Sequence, residues 1–248
     1  MSGKSPTAKI FAVLEVVAER GSCRLTDIAN EIGVSKTTLH HTISQMENEG
    51  LLQREPGGRQ LKVGNKLARL ATGLVRSSMR DGQVREILEN LVTSIGESCS
   101  IGVQNANSVV YIEAVTSGSP LAYNFQTGQK TPLYCTSTGK LYLSTLSAVE
   151  FNKYIQNENL IKYTKNTIID KDLLRKEVEE IKLNCFARSD GEYVDGVVGA
   201  AVPVNDIRGN MIAGLAISAP VTRISFSEIL DHKSVLANAA YKIANTFN

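Results

Sequence analysis

The run LTDIANEIGVSKTTLHHTISQMEN, Leu25–Asn48, decides how the rest of the chain is read. Its first eight residues predict a short helix with Leu25, Ile28, Ala29 and Ile32 on one apolar face, capped by Thr26 or a neighbour. Gly33 breaks that helix. Ser35 is a good N-cap, and the spacing predicts another helix from there to about Asn48. A helix, a short turn with a glycine and a second helix make a helix-turn-helix. In the second helix Leu39, Ile43 and Met46 share one side. Residues advance by about 100° each, so Thr37, His41, Ser44 and Asn48 fall opposite. Lys36 and His40 flank one edge of that face, and Thr38 and Gln45 the other. Every side chain on it can hydrogen-bond, none is acidic and most are short, which suits close approach to base edges and phosphates. Taken alone, such a face is an ordinary solvated surface, so its neighbours decide the reading.

Upstream, Thr7–Glu19 predicts a helix with Ile10, Phe11, Leu14, Val17 and Ala18 on its apolar face, ended by Gly21. Downstream, Leu51–Glu55 and Arg59–Val63 are short strand-like runs around the turn Pro56-Gly57-Gly58. A basic hairpin after a recognition helix is a wing, and Arg54, Arg59 and Lys62 are placed to meet phosphates or a minor groove. The candidate DNA-binding residues are therefore Thr26, Ser35, Lys36, Thr37, Thr38, His40, His41, Ser44, Arg54, Arg59 and Lys62, within a winged helix-turn-helix spanning 6–64. Asn65–Ser78 predicts a linker helix in segment 65–80. Its apolar stripe of Leu67, Leu70, Leu74 and Val75 suits a second subunit, and Lys66, Arg69 and Arg76 point outward.

The composition agrees. The chain has 248 residues, 42% hydrophobic and 21% charged, which is ordinary for a globular protein. No apolar run is long enough to span a membrane and no secretory signal opens the chain, so a cytoplasmic protein without a membrane partner is expected. Residues 1–80 hold 12 Lys and Arg against 7 Asp and Glu, a balance of +5, while the remainder holds 15 against 18, a balance of −3. A basic module for a polyanion joined to a module with another task has that asymmetry. Cys23, Cys99, Cys135 and Cys185 form no C-x-x-C pair and have no histidine at ligand spacing. Neither a metal, nor another cofactor, nor a disulfide framework is expected.

From 81 to 248 the pattern is that of a second domain. Val84, Ile87, Leu88, Leu91 and Ile95 predict an amphipathic helix ending at Gly96. Strands are predicted at Ser100–Gln104, Val109–Val115, Leu121–Gln126, Val197–Val204 and Met211–Ser218. Helices are predicted at Thr138–Leu146, Ala148–Asn157, Lys171–Leu183 and Ser227–Thr246. An antiparallel sheet with helices makes the fold class α+β.

Three segments of this domain carry a resemblance: Pro132-Leu133-Tyr134-Cys135-Thr136-Ser137-Thr138-Gly139-Lys140-Leu141-Tyr142-Leu143, then Asp190–Pro203, then Gly209–Pro220. With the winged helix-turn-helix in front, and in this order and spacing over nearly the whole chain, they resemble the IclR family of bacterial transcription regulators. The resemblance implies a homodimer or homotetramer that binds operator DNA through its N-terminal domain. It also implies a GAF-like C-terminal domain that takes a small effector, often an organic or aromatic acid. Most such proteins repress, commonly catabolic genes. Three positions depart from the family: His41 stands where an arginine is usual, Gly199 replaces a frequent pocket cysteine, and Ala216 a frequent pocket serine.

The residues of the second domain suit an acid. Ser137-Thr138-Gly139 opens a helix, where unpaired N–H groups and small side chains make an anion site. Asp190 and Ser218 match family positions on the other side of the effector. Gly199 and Ala216 would leave room for a bulkier ligand, walled by Tyr123, Phe125 and Tyr134. The competing expectation is that these residues only cap and pack, and that the C-terminal domain only oligomerises. Catalysis is not expected. Gly139-Lys140 hints at a phosphate-binding loop, but the earlier glycine position is Tyr134. Cys135 as a nucleophile would need a base, and His40, His41 and His232 lie far away in sequence.

Overall fold

The computed structural model describes residues 5–55, 58–79, 82–123 and 125–247, with the backbone alone at 72 and 74–79. Pro56 and Gly57 of the expected wing turn, the expected domain boundary at 80–81, and the side chains of Leu74, Val75 and Arg76 lie outside the described residues. The chain divides into two compact units, 1–75 and 76–248.

The first unit runs α1 (Pro6–Arg20), β1 (Ser22–Cys23), α2 (Leu25–Ile32), α3 (Lys36–Asn48), β2 (Leu52–Arg54), β3 (Leu61–Val63) and α4 (Asn65–Met79). Ser5 starts α1: its Oγ accepts the Ala8 N–H at 3.2 Å, and Pro6 stands where a helix needs no donor. Val13, Val16 and Val17 of α1 join Ile28, Leu39, Ile43, Met46, Leu52 and Leu61 in one core. Of the expected face, Val17 lies in this core and Ile10 and Leu14 pack against it, whereas Phe11 is 61% exposed and Ala18 is exposed. Helices α2 and α3 and strands β1 and β3 pack on α1, and the core they share holds its valines. The N-cap of α2 is Arg24, whose N–H donates to Asp27 Oδ2 at 3.3 Å; Thr26 lies inside the helix and donates to the same carboxylate, so it is not the cap. Gly33, at φ +68°, supplies the left-handed turn between α2 and α3. Strand β1 was not expected, because two residues show no periodicity; it pairs with β3, giving the order β1-β3-β2. Gly64 closes the hairpin against α3's exit. Its N–H donates to Leu51 O at 2.8 Å, and a Cβ there would stand 2.3 Å from Gly50 O.

The second unit runs α5 (Gln83–Ile95), β4 (Ser98–Asn105), β5 (Ser108–Val115), β6 (Lys130–Pro132), α6 (Ser137–Thr145), α7 (Ala148–Asn157), α8 (Lys171–Asn184), β7 (Ala187–Asp190), β8 (Val197–Asn205), β9 (Met211–Pro220) and α9 (Lys233–Ala244). Its strands form one antiparallel sheet in the order β6-β5-β4-β9-β8-β7, so the domain is α+β. The described residues of the expected strand at Leu121–Gln126 form no strand; the outer neighbour of β5 is β6. Phe125 turns its ring onto Tyr111 of β5, stacked at 4.1 Å, instead of extending the sheet. The expected last helix begins as a 3-10 turn, Glu228–His232.

Helix α6 is buried along nearly its whole length, from Ser137 to Ser144. Two rows of small residues across the sheet allow this. Ala187, Ala201, Ala216 and Ser100 are register partners on β7, β8, β9 and β4, and Ser189, Gly199, Ser218 and Ser98 form the next row. Leu141 of α6 and Ile181 of α8 pack on the alanine row. Further along, a Cβ on Gly102 or Gly214 would stand 3.1 or 2.8 Å from Thr138 Cγ2.

Candidate nucleic-acid interface and ligand pocket

Ser35 starts α3 by accepting the Thr38 N–H at 3.3 Å, and the Ser35 and Thr38 hydroxyls bond each other at 2.9 Å. These two side chains therefore shape the helix start. Lys36, Thr37, His40 and His41 are exposed, Ser44 is half-buried, and Leu39, Ile43 and Met46 anchor the opposite side. Two carboxylates sit near the helix's end, and both are paired. Glu49 meets Lys66 at 2.8 Å, a hydrogen bond that holds its carboxyl below the usual range. Glu47 meets Arg54 at 2.8 Å. On the hairpin, Arg59 is exposed and Lys62 half-buried. Arg54, expected beside them at a phosphate, already has partners within its own domain. Thr26 sits half-buried in α2 with its hydroxyl on Asp27.

In the second unit, Thr136 caps α6, its Oγ1 accepting the Gly139 N–H at 3.1 Å. Beside this helix start is a small cavity, about 20 Å³, room for about one water. It brings together Tyr123, Phe125, Ser137, Gly199 and Ser218 of the expected set. The other expected residues lie elsewhere. The Tyr134 hydroxyl donates to Ile161 O at 2.8 Å. Thr138 faces Gly102 and Gly214, and Gly139 presses on the Leu133 backbone, where a Cβ would stand 2.3 Å from Leu133 O. Ala216 lies under Leu141 and Ile181. Asp190 falls on the opposite side of β7 from Ser189, which lines the cavity. Gly199 opens no extra room, because a Cβ there would meet Ser189 Oγ at 2.8 Å and Ser137 Oγ at 3.2 Å.

Sequence reasoning missed Cys135, Thr136, Ser189 and Tyr193, which also line the cavity. Strand alternation would have chosen Ser189, the register partner of Gly199, over Asp190. The wall is aromatic: Tyr123 meets Phe125 edge-on at 5.3 Å, and Tyr193 lies 6.3 Å from Phe125 and 5.0 Å from Tyr163. Burial pushes the Cys135 thiol well up.

Behind the cavity, Lys140 is 1% exposed and bridges Glu192 at 2.6 Å and Glu177 at 2.9 Å. It joins α6 to α8 and to the loop that carries Tyr193. Thr164 and Thr167 donate to the backbone oxygens of Gly191 and Glu192, both at 2.6 Å, and clamp the same loop. Burial pushes the Glu192 carboxyl up, against the pull of Lys140.

Two family models match the chain: the IclR helix-turn-helix domain over residues 6–56, and the bacterial transcriptional regulator IclR C-terminal domain over 80–245. The chain is 28% identical to "Probable transcriptional regulator SauR" of Cupriavidus necator, over 100% of this chain and 99% of that protein. The crystal structure of the Thermotoga maritima IclR aligns with a TM-score of 0.63 at 24% identity, over 96% of both chains. The inducer-binding domain of the PobR transcription factor from Acinetobacter, solved as a double mutant with 3-hydroxybenzoic acid, aligns with a TM-score of 0.60. It is 26% identical, over 67% of this chain and 97% of that one.

Proposed function

The chain belongs to the IclR family of bacterial transcriptional regulators and is a DNA-binding regulator; from that premise we propose that it is a sequence-specific repressor of a catabolic operon, released or engaged by a small organic acid. The observation that carries the DNA half is the exposed side of α3, where Lys36, Thr37, His40 and His41 stand without a carboxylate among them. Thr37 and His41 read base edges in the major groove, with Ser44 at the rim. Arg59 and Lys62 take phosphates, and Ser35 and Thr38 set the helix start that brings Lys36 to the backbone. A homodimer or homotetramer presents two such helices to a two-fold operator.

The effector site is the cavity at the start of α6. The N–H groups of Ser137 and Thr138, with the hydroxyls of Ser137, Ser189 and Ser218, receive a carboxylate. Tyr123, Phe125 and Tyr193 take an apolar or aromatic body. The Acinetobacter relative solved with 3-hydroxybenzoic acid supports that ligand class. The small volume of the cavity favours a second reading, in which the C-terminal domain only oligomerises.

Fluorescence anisotropy on DNA flanking the gene, with and without a panel of hydroxybenzoates and aliphatic acids, tests both halves. Preferential binding of one fragment, altered by one acid, is the expected result. Binding that no acid alters, with no heat of ligand binding in calorimetry, selects the second reading. No preference for any fragment at low salt removes the DNA half.

A further inference from the structure

The Arg54 guanidinium is committed inside its own domain. Its Nε donates to Glu47 Oε1 at 2.8 Å and its Nη2 to Glu47 Oε2 at 3.2 Å, fork on fork. Its Nη1 donates to Gly58 O at 3.0 Å. Three pieces meet at this one side chain: β2, which carries it; the last turn of α3, which carries Glu47; and the connection between β2 and β3, which supplies Gly58. Glu47 is half-buried, its side chain 23% exposed.

The hairpin itself is a weak pointer. Its ladder has three residue pairs, ending at Arg54 and Leu61. Past them, the described residues add a bond from Glu55 N–H to Gln60 O and one from Gly58 N–H to Glu55 O. Such a short ribbon twists easily, whereas a planar guanidinium cannot turn without losing its bonds to a carboxylate.

We infer that Arg54 is a positioning residue: with Glu47 it locks the wing to the recognition helix, and so sets the offset between base-reading and phosphate-binding groups. This rests on the DNA-binding reading above. The alternative, a phosphate grip, makes the opposite prediction at Glu47. A gripping Arg54 would be hindered by that carboxylate, and removing it would free the guanidinium and strengthen binding. A positioning Arg54 needs it, and removing it weakens binding.

The test uses the full chain on its preferred DNA fragment, by anisotropy at several salt concentrations. Glu47→Ala and Arg54→Ala are each expected to weaken binding about five-fold, the upper end for a partly exposed ion pair. The double variant is expected to be no weaker than either single one, with the wild-type salt slope kept throughout. Arg54→Lys, which keeps the charge and loses the fork, is expected to behave like Arg54→Ala. Tighter binding by Glu47→Ala, a slope flattened by about 0.9 in Arg54→Ala, or full affinity in Arg54→Lys would overturn the inference. Without DNA, amide exchange at Glu55 and Gly58 is expected to quicken in both single variants; unchanged exchange overturns it as well. A wild-type chain that binds no DNA sinks the reading above instead, and the exchange experiment still judges the Arg54 lock.

Discussion

His41 stands mid-face on the exposed side of α3, one turn from Thr37 and from Ser44, where the family usually has arginine. An imidazole there makes at most two directed bonds, against the five donors of a guanidinium. His41→Ala is expected to cost about ten-fold on the preferred site and less on random DNA, because a lost base contact is worth roughly 1–3 kcal/mol only where the base is right. Gel shifts on both DNAs measure it, and equal losses count against base reading. Arg59→Ala is expected to lower affinity on every sequence and to flatten the salt slope by about one unit; an unchanged slope takes Arg59 off the phosphate list. Lys140 is read through stability. Lys140→Met leaves Glu177 and Glu192 without their buried cation and is expected to destabilise the second unit by about 3–5 kcal/mol in urea unfolding. The neighbouring Glu192 titrates in a definite sense. Burial raises its carboxyl above the ordinary 4.5, so the folded chain holds that proton more tightly than the unfolded one. Its contribution is largest below pH 4.5 and declines as pH rises through the folded value. Glu192→Gln is expected to flatten that decline, and an undiminished decline would assign it to another group.

Elements were legible in the sequence where a cap and a period agree. Ser147 and Glu150 form a reciprocal capping box at the start of α7, and Ala148–Asn157 was expected and found. Helices α2 and α3 were legible for the same reason: Gly33 and Ser35 punctuate them. The winged helix-turn-helix and the antiparallel sheet follow from such signals. What the chain did not disclose is strand phase. Leu121, Tyr123 and Phe125 alternate like a strand, yet two of these rings close a cavity. Asp190 and Ala216 come from family positions in the resemblance, and the strand pairing sets both off the row of Ser189, Gly199 and Ser218. The same register explains α6. Its depth requires the alanine and serine rows beneath it, so Ala216→Leu is expected to overpack Leu141 and Ile181 and lower stability by about 1–3 kcal/mol. A thermal melt unchanged from wild type would show that the helix can lift without cost.

At the scale of the whole molecule, the basic balance of residues 1–80 and the acidic balance of the remainder match a division of labour between two units, 1–75 and 76–248. A fragment starting at residue 82 is expected to fold alone, as the Acinetobacter relative's inducer-binding domain was crystallised alone, and to bind whichever acid the full chain binds, without binding DNA. Calorimetry and gel shifts on that fragment check both. Loss of ligand binding in the fragment, with binding kept in the full chain, would mean that the N-terminal unit takes part.

The cavity at the start of α6 has a consequence in time. If the proposed acid binds here, a space for about one water must first widen, and the rings of Tyr123 and Phe125 are among its walls. Association must then wait on a first-order rearrangement. In stopped-flow mixing the relaxation rate should level off at high acid concentration instead of rising in proportion to it, and the plateau reports how often the space opens.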